Sequence, residues 1–303
     1  MSWFSSLFSS APRASRRLAH RRDLRHHDTR SSPCHTLERP DARIFFTDEG
    51  SGPVTLLLIH GLVSDSNDWN WLTPLLRDRY RIVSMDMRGH GRSSASGGYA
   101  LADLAQDALA IADSIGCRRF VPMGHSLSGT VTACLAVEYP DRVEAVIEVD
   151  PAYALPSPMV DGWEAVRAQW KGKKATFPDA LLVSDVMALF LATWLARRLE
   201  AIDPAAFWGA YDGQARGPEG SSVSSPEADE YLRRRACPVL SFHALPGRAQ
   251  WETTLFTHPA SRTIEWEGSS HYLHIERPRE MAVVVSGWLG ALASPAVAAT
   301  GEA

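Results

Sequence analysis

The sequence predicts an α/β fold: a mostly parallel, doubly wound sheet covered by helices and interrupted by a helical insertion. Three observations carry this. From Ala42 onward, strand-like and helix-like patterns alternate, which places parallel strands side by side with helices crossing between them. The run VTLLLIH (54–60) is continuously apolar, as expected of a strand buried on both faces. Residues 152–236 hold apolar helical stretches and no clear strand pattern.

The elements follow in order. ARIFFTD (42–48) reads as a strand and EGSGP (49–53) as the turn after it. HGLVSDSNDWNWLTPLL (60–76) leads from the apolar strand into a helix. RIVSMD (81–86) is a strand. ALADLAQDALAIADSIG (100–116) is an amphipathic helix with Gly116 as its C-cap. RFVPMG (119–124) is a strand, SLSGTVTACLAVEYP (126–140) a helix ended by Pro140, and VEAVIEVD (143–150) a strand again. The insertion holds ALLVSDVMALFLATWLARRL (180–199), the residues Trp163, Trp170, Trp194 and Trp208, and a loop-like stretch at 213–228. PVLSFHA (238–244) and RTIEWEG (262–268) resume the strand pattern, and RPREMAVVVSGWLGALA (277–293) closes the chain with a helix. The expected division is therefore 36–151 and 237–292 for the α/β core, 152–236 for the helical insertion and 293–303 for a flexible tail. Residues 1–35 form a separate N-terminal segment.

The 303 residues are 45% hydrophobic and 22% charged, an ordinary globular composition that excludes a disordered or collagen-like chain. No run approaches the 18 apolar residues of a membrane span, so the chain is not expected to be integral to a membrane. The net charge of −4 is uneven. Residues 1–30 hold seven Arg and two Asp, a local +5, which leaves about −9 for the rest. An acidic body argues against nucleic acid as a partner. Residues 1–33, rich in Ser and Arg, carry Trp3, Phe4, Leu7 and Phe8 at helical spacing. They read either as a mitochondrial targeting peptide or as a disordered basic tail. The four Cys have neither zinc spacing nor a disulfide pattern. An intracellular location, cytoplasmic or mitochondrial, is the expectation.

Three motifs carry chemistry. Gly124-His125-Ser126-Leu127-Ser128-Gly129 lies between a strand and a helix, the context of a nucleophile elbow that exposes the Ser126 hydroxyl above the sheet. Ser128 stands where the strict G-x-S-x-G pattern has Gly, and a Ser heading a helix also serves as an N-cap. His60-Gly61-Leu62-Val63 ends the buried strand. Its Leu62 N–H, with that of Leu127 beside the nucleophile, supplies the two donors that an acyl-transfer oxyanion needs. Ser270-His271-Tyr272-Leu273-His274 follows the last strand, where a loop at the carboxyl edge of the sheet presents a general base. His271 is the candidate and His274 its rival.

These motifs, with Asp86-Met87-Arg88-Gly89-His90-Gly91-Arg92-Ser93 and the run to Pro278, resemble the α/β-hydrolase superfamily over about residues 36–292. The resemblance implies an α/β-hydrolase fold whose insertion is a substrate-selecting cap. It gives Asp86 and Arg88 structural duties. It also leads to expect an acid partner for His271 after the strand that follows the cap, but Leu245 occupies that place. The other location used in the family falls at Asp150, 24 residues after Ser126. Asp150 is the expected acid, with Glu148, Glu252 or no acid as the alternatives.

Ser in place of Asp at the nucleophile disfavours the family's epoxide hydrolases and dehalogenases. The expectation is a serine hydrolase acting on an ester, lactone or thioester through an acyl-Ser126 intermediate, without cofactor or metal. Val63, His125, Trp163, Trp194 and Tyr272 are expected around a small-molecule substrate with an apolar acyl group. Two other readings share the motifs. One is an acyltransferase or lactone-forming cyclase that releases an acyl chain, with an acyl-carrier protein or synthase as partner. The other is a ligand-binding protein on the same fold. Nothing in the sequence fixes the oligomeric state.

Overall fold

A computed structural model describes residues 33–94, 97–153, 198, 202–215 and 226–294. Eight strands form one sheet: β1 (Cys34–Glu38), β2 (Arg43–Glu49), β3 (Thr55–Ile59), β4 (Arg81–Met85), β5 (Val121–His125), β6 (Val146–Val149), β7 (Val239–His243) and β8 (Arg262–Glu265), in spatial order β1-β2-β4-β3-β5-β6-β7-β8. The β1–β2 and β2–β4 pairs are antiparallel, and every pair from β4–β3 to β7–β8 is parallel. The helices described here are α1 (Thr73–Leu76), α2 (Leu101–Ser114), α3 (Leu127–Glu138), α4 (Pro204–Ala215), α5 (Pro226–Arg233), α6 (Arg248–Thr253), α7 (Leu273–Glu276) and α8 (Pro278–Ala293).

The apolar run at β3 works as its composition demands. Leu57 and Ile59 enter a core cluster with Leu104, Ala108 and Ile111 of α2 and Val131 and Leu135 of α3. Leu56 and Leu58 point the other way, into a cluster with Trp69, Leu72, Leu76 and with Met281, Val285 and Trp288 of α8. Successive side chains of a strand face opposite sides, so a strand covered on both faces has to be apolar throughout. Truncating one of these four leucine and isoleucine side chains to Ala costs about 2–5 kcal/mol.

Two local departures from the sequence reading stand out. The segment SNDWNW (66–71) folds as a 3-10 helix, not the start of a long helix. Asp65 caps it by accepting the Asn67 N–H, and Pro74 opens α1 anew. The fold also begins earlier than expected: Cys34 and His35, assigned to the N-terminal segment, lie in β1 and pair with Thr47 and Phe46. This edge strand is mostly exposed, so it lacks the apolar signature that marks the inner strands. Within the insertion, the described residues include α4 and α5.

Candidate active site

The parallel strands deliver their carboxyl ends to one edge of the sheet, where ligand sites of open α/β sheets form. β5 ends at His125 and α3 begins at Leu127, so Ser126 must turn the chain alone. It does so with φ 55 and ψ −118, a sparsely populated conformation costing about 1–3 kcal/mol. The turn is held from several sides. Ser126 N–H donates to Val149 O at 3.0 Å, and Ser126 O accepts from Gly129 N at 2.9 Å and Ala152 N at 3.0 Å. A Cβ on Gly124 would sit 2.3 Å from Ser128 O, and one on Gly129 would sit 2.3 Å from Pro151 Cβ. Both glycines are therefore required by close approach. Ser128 is fully buried and fits because its hydroxyl donates to the carbonyl of His60.

That bond ties the elbow to the loop after β3. The His60 ring ties the same loop to a third segment: its Nε2 accepts the Met87 N–H at 2.9 Å. The ring proton therefore sits on Nδ1, which donates to Gly61 O at 2.7 Å. Burial lowers the His60 pKa to about 4, which keeps the ring neutral in this role. Ser64 N–H also donates to Gly61 O, closing a tight turn in which Val63 has φ 61. For a β-branched residue that is a strained backbone. Gly61 runs against the elbow, since a Cβ there would lie 2.6 Å from His125 Nδ1 and 3.2 Å from Ser126 Cβ. Leu62 is the residue that follows this contact in the chain. Leu127 heads α3, so its N–H is one of those with no acceptor inside the helix.

β6 ends at Val149, and Asp150 turns with φ 45. Its N–H donates to Phe242 O at 2.7 Å, and its Oδ1 accepts the Ala244 N–H at 2.9 Å. The second oxygen, Oδ2, lies 2.5 Å from His271 Nδ1. A carboxylate only accepts, so Nδ1 carries the proton and Nε2 presents its lone pair. The imidazole is one-quarter exposed, while the Asp150 side chain is nearly buried. Among the described residues, the three non-glycine residues with positive φ are Val63, Ser126 and Asp150. All of the strain of this kind falls on three loops of one site, a pattern associated with function.

The rival residues have other partners. Glu148 and Glu252 share Arg235, at 2.8 Å and 3.1 Å, and both contact the Tyr153 hydroxyl. Glu252 also pairs with His243 Nε2 at 2.7 Å. One hydroxyl proton cannot serve two ionised carboxylates, so one of the pair carries a proton. Burial pushes Glu148 up to about 7, while His243 and Arg235 hold Glu252 below the usual carboxylate range; Glu148 is the protonated partner. His274 is fully buried, 4.4 Å from the Trp69 ring, and burial lowers its pKa to about 3. Asp86 and Arg88 are structural. Asp86 accepts from Ser66 N, Arg92 N and Arg92 Nε, and Arg88 makes a two-pronged pair with Asp107 at 2.7 and 2.8 Å.

Of the residues expected around substrate, Val63 is half-buried in the strained turn. Tyr272 is buried, its ring 5.6 Å from that of His271. His125 departs from expectation: it is 1% exposed and its Nε2 lies 2.9 Å from the His271 carbonyl, beneath the site and facing no open space. The sequence pattern that suggested contact with substrate reflects only its place next to Ser126. Trp163 and Trp194 lie outside the described residues. Sequence reasoning missed the ring of His60, the Ala244 N–H and the duty of Ser128; the His-Gly pair after the apolar strand was the available signal for the first.

One donor cluster invites a metal reading. Asp68, His125 and His274 place donor atoms within 4.8 Å of one another. Asp68 takes the Ser64 hydroxyl and lies 3.6 Å from Arg198 Nε, and His125 Nε2 is on the His271 carbonyl. A cation there would compete with a guanidinium already in place. The trio is packing behind His271.

Comparison with known proteins agrees with this architecture. Residues 54–237 match the family model described as alpha/beta hydrolase fold, and the chain belongs to that family. Among curated relatives, the dihydrolipoyllysine-residue acetyltransferase component of the acetoin cleaving system of Cupriavidus necator is 34% identical over 152 residues, 48% of this chain and 41% of that protein. A fluoroacetate dehalogenase from a Burkholderia species is 31% identical over 170 residues, 51% of this chain and 55% of that protein. The chain thus spans about half the length of these relatives. A thermophilic esterase from Thermogutta terrifontis superposes with a TM-score of 0.70 at 20% identity, covering 86% of this chain and 97% of that one, a likeness of fold. No helix among the described residues is long and apolar enough to cross a membrane.

Proposed function

We propose that the protein is a serine hydrolase that cleaves an ester, lactone or thioester with an apolar acyl group. Ser126 is the nucleophile, His271 the general base and Asp150 the acid that orients it. The reading rests above all on the 2.5 Å contact from Asp150 Oδ2 to His271 Nδ1, on the same sheet edge as Ser126 in its strained elbow. In this reaction Ser126 Oγ bonds to the carbonyl carbon while His271 Nε2 takes its proton. The N–H groups of Leu62 and Leu127 stabilise the oxyanion, each worth about 3 kcal/mol in the transition state. Collapse expels the alcohol or thiol, which leaves with the proton from His271. Water, deprotonated by the same nitrogen, then releases the acid and restores Ser126.

A relative named as a dehalogenase does not redirect this reading. A carboxylate that displaces a halide leaves an ester, which water can cleave at its carbonyl. Ser126 displacing the same halide would leave an ether, with no carbonyl for water to attack. Acyl chemistry is what a Ser here can complete.

The test is a mass-resolved product assay of the full chain against esters, lactones and acyl thioesters, including ω-hydroxy acyl chains, with Ser126→Ala beside it. Free acid that depends on Ser126 is the expected product. A Ser126-dependent product one water lighter would instead identify a lactone-forming cyclase. Turnover unchanged in Ser126→Ala would overturn the mechanism.

A further inference from the structure

We propose that His125 is a positioning residue: its ring, wedged between Gly61 and the His271 loop, keeps the base in register with the nucleophile and so fixes the Asp150–His271 hydrogen bond. The inference rests on the reading of Ser126, His271 and Asp150 given above.

His125 ends β5 and is 1% exposed. Its Nε2 lies 2.9 Å from the backbone oxygen of His271. A carbonyl only accepts, so Nε2 carries the ring proton. Nδ1 is then a lone pair, and it faces Gly61, where a Cβ would stand 2.6 Å away. No partner meets it. Charging the ring would add an N–H against the Gly61 backbone with nothing to accept it. Burial and the neighbouring His274 and His271 rings act the same way and hold the His125 pKa well below the ordinary value. The ring therefore remains a neutral, fixed donor.

The placement joins three parts of the site. His125 is covalently next to Ser126. It abuts Gly61, one residue before the Leu62 donor. Its ring centroid is 4.6 Å from that of His271 and 4.9 Å from that of Tyr272. The His271 loop is short of rigid structure, following Gly268 at φ 74 and preceding the single turn of α7. Two further backbone ties are local, from Ser270 N to Glu276 at 2.8 Å and from Tyr272 N to Ser270 Oγ at 3.1 Å, while the His271 side chain reaches Asp150. The bond from His125 spans 146 residues of sequence and sets the loop relative to the elbow.

The test compares His125→Asn with His125→Gln in the full chain. Both replace the ring with a polar amide, but only the Gln nitrogen reaches the position of Nε2. The first readout is the far-downfield imidazole N–H proton resonance of His271, assigned by its loss in Asp150→Asn. It is expected in the parent protein, retained in His125→Gln, and lost or exchange-broadened in His125→Asn. kcat is expected to fall by about tenfold to a hundredfold in His125→Asn, since small misplacements of a reacting group cost that much, with KM little changed. The acidic limb of the kcat/KM profile should move to lower pH, because a misaligned Asp150 supports the His271 cation less well. His125→Phe, with a ring and no donor, should behave as the Asn variant. Equal resonance and equal kcat per folded molecule in all three variants would overturn the proposal. A parent protein that shows the resonance but turns over no substrate refutes the hydrolase reading, and the resonance alone then decides the role of His125.

Discussion

Replacing Asp150 by Asn removes one charge and little else in shape. Asp150 Oδ1 accepts the Ala244 N–H at 2.9 Å, and the Asn carbonyl will keep that bond. The amide NH2 then points at His271 Nδ1, where the carboxylate had accepted at 2.5 Å. Two donors cannot share that contact. The imidazole must move its proton to Nε2, which disables the base. The lost attraction to the developing cation, at 2.5 Å and an effective dielectric of about 20, is about 7 kcal/mol by Coulomb's law. A fall of about 10⁴ in kcat, the size seen for this change in another protein with such a triad, corresponds to about 5.4 kcal/mol. The two figures agree in order of magnitude. The assay is kcat on an activated ester for the parent and Asp150→Asn, corrected for the fraction folded. A fall of less than tenfold, together with a large fall in Glu148→Gln or Glu252→Gln, would refute the assignment of Asp150.

Two further predictions concern stability. Glu148 has its pKa raised from 4.5 to about 7 in the folded state, so its contribution to stability is full below about pH 4.5 and is lost as pH rises towards 7. The change is at most about 3 kcal/mol. In Glu148→Gln that decline should vanish, so urea midpoints measured from pH 4.5 to 8 should favour the variant increasingly at the alkaline end; parallel curves would count against the protonated carboxyl. Gly129→Ala should destabilise by about 1–3 kcal/mol despite better helix propensity, because the new methyl meets the rigid Pro151 ring at 2.3 Å. A rise in urea midpoint would show that the elbow has room to give.

The inner sheet was legible because burial on both faces leaves a strand no choice of polarity. VTLLLIH and RFVPMG are such strands, and both are central. β1 was not legible: an exposed edge strand has no apolar alternation to read. Ser126 and His271 could be picked out because each stands at a strand-to-loop junction with small residues around it. Asp150 could be placed only by counting elements, and the sequence held no sign that Ala244 would anchor it. The roles of Glu148 and Glu252 depend on Arg235 and Tyr153, one from each end of the insertion, meeting between them. Contacts between residues so far apart leave no local pattern. His125 misled for the opposite reason, since adjacency to the nucleophile in sequence suggested contact with substrate, while strand alternation turned its ring inward.

The central claim is that Ser126 is a nucleophile activated by His271. Labelling of the full chain with a fluorophosphonate probe, followed by peptide mass mapping, tests it most directly. The account predicts one adduct, on Ser126, that forms far more slowly in His271→Ala. Labelling that spares Ser126, or that proceeds equally fast in His271→Ala, would contradict it.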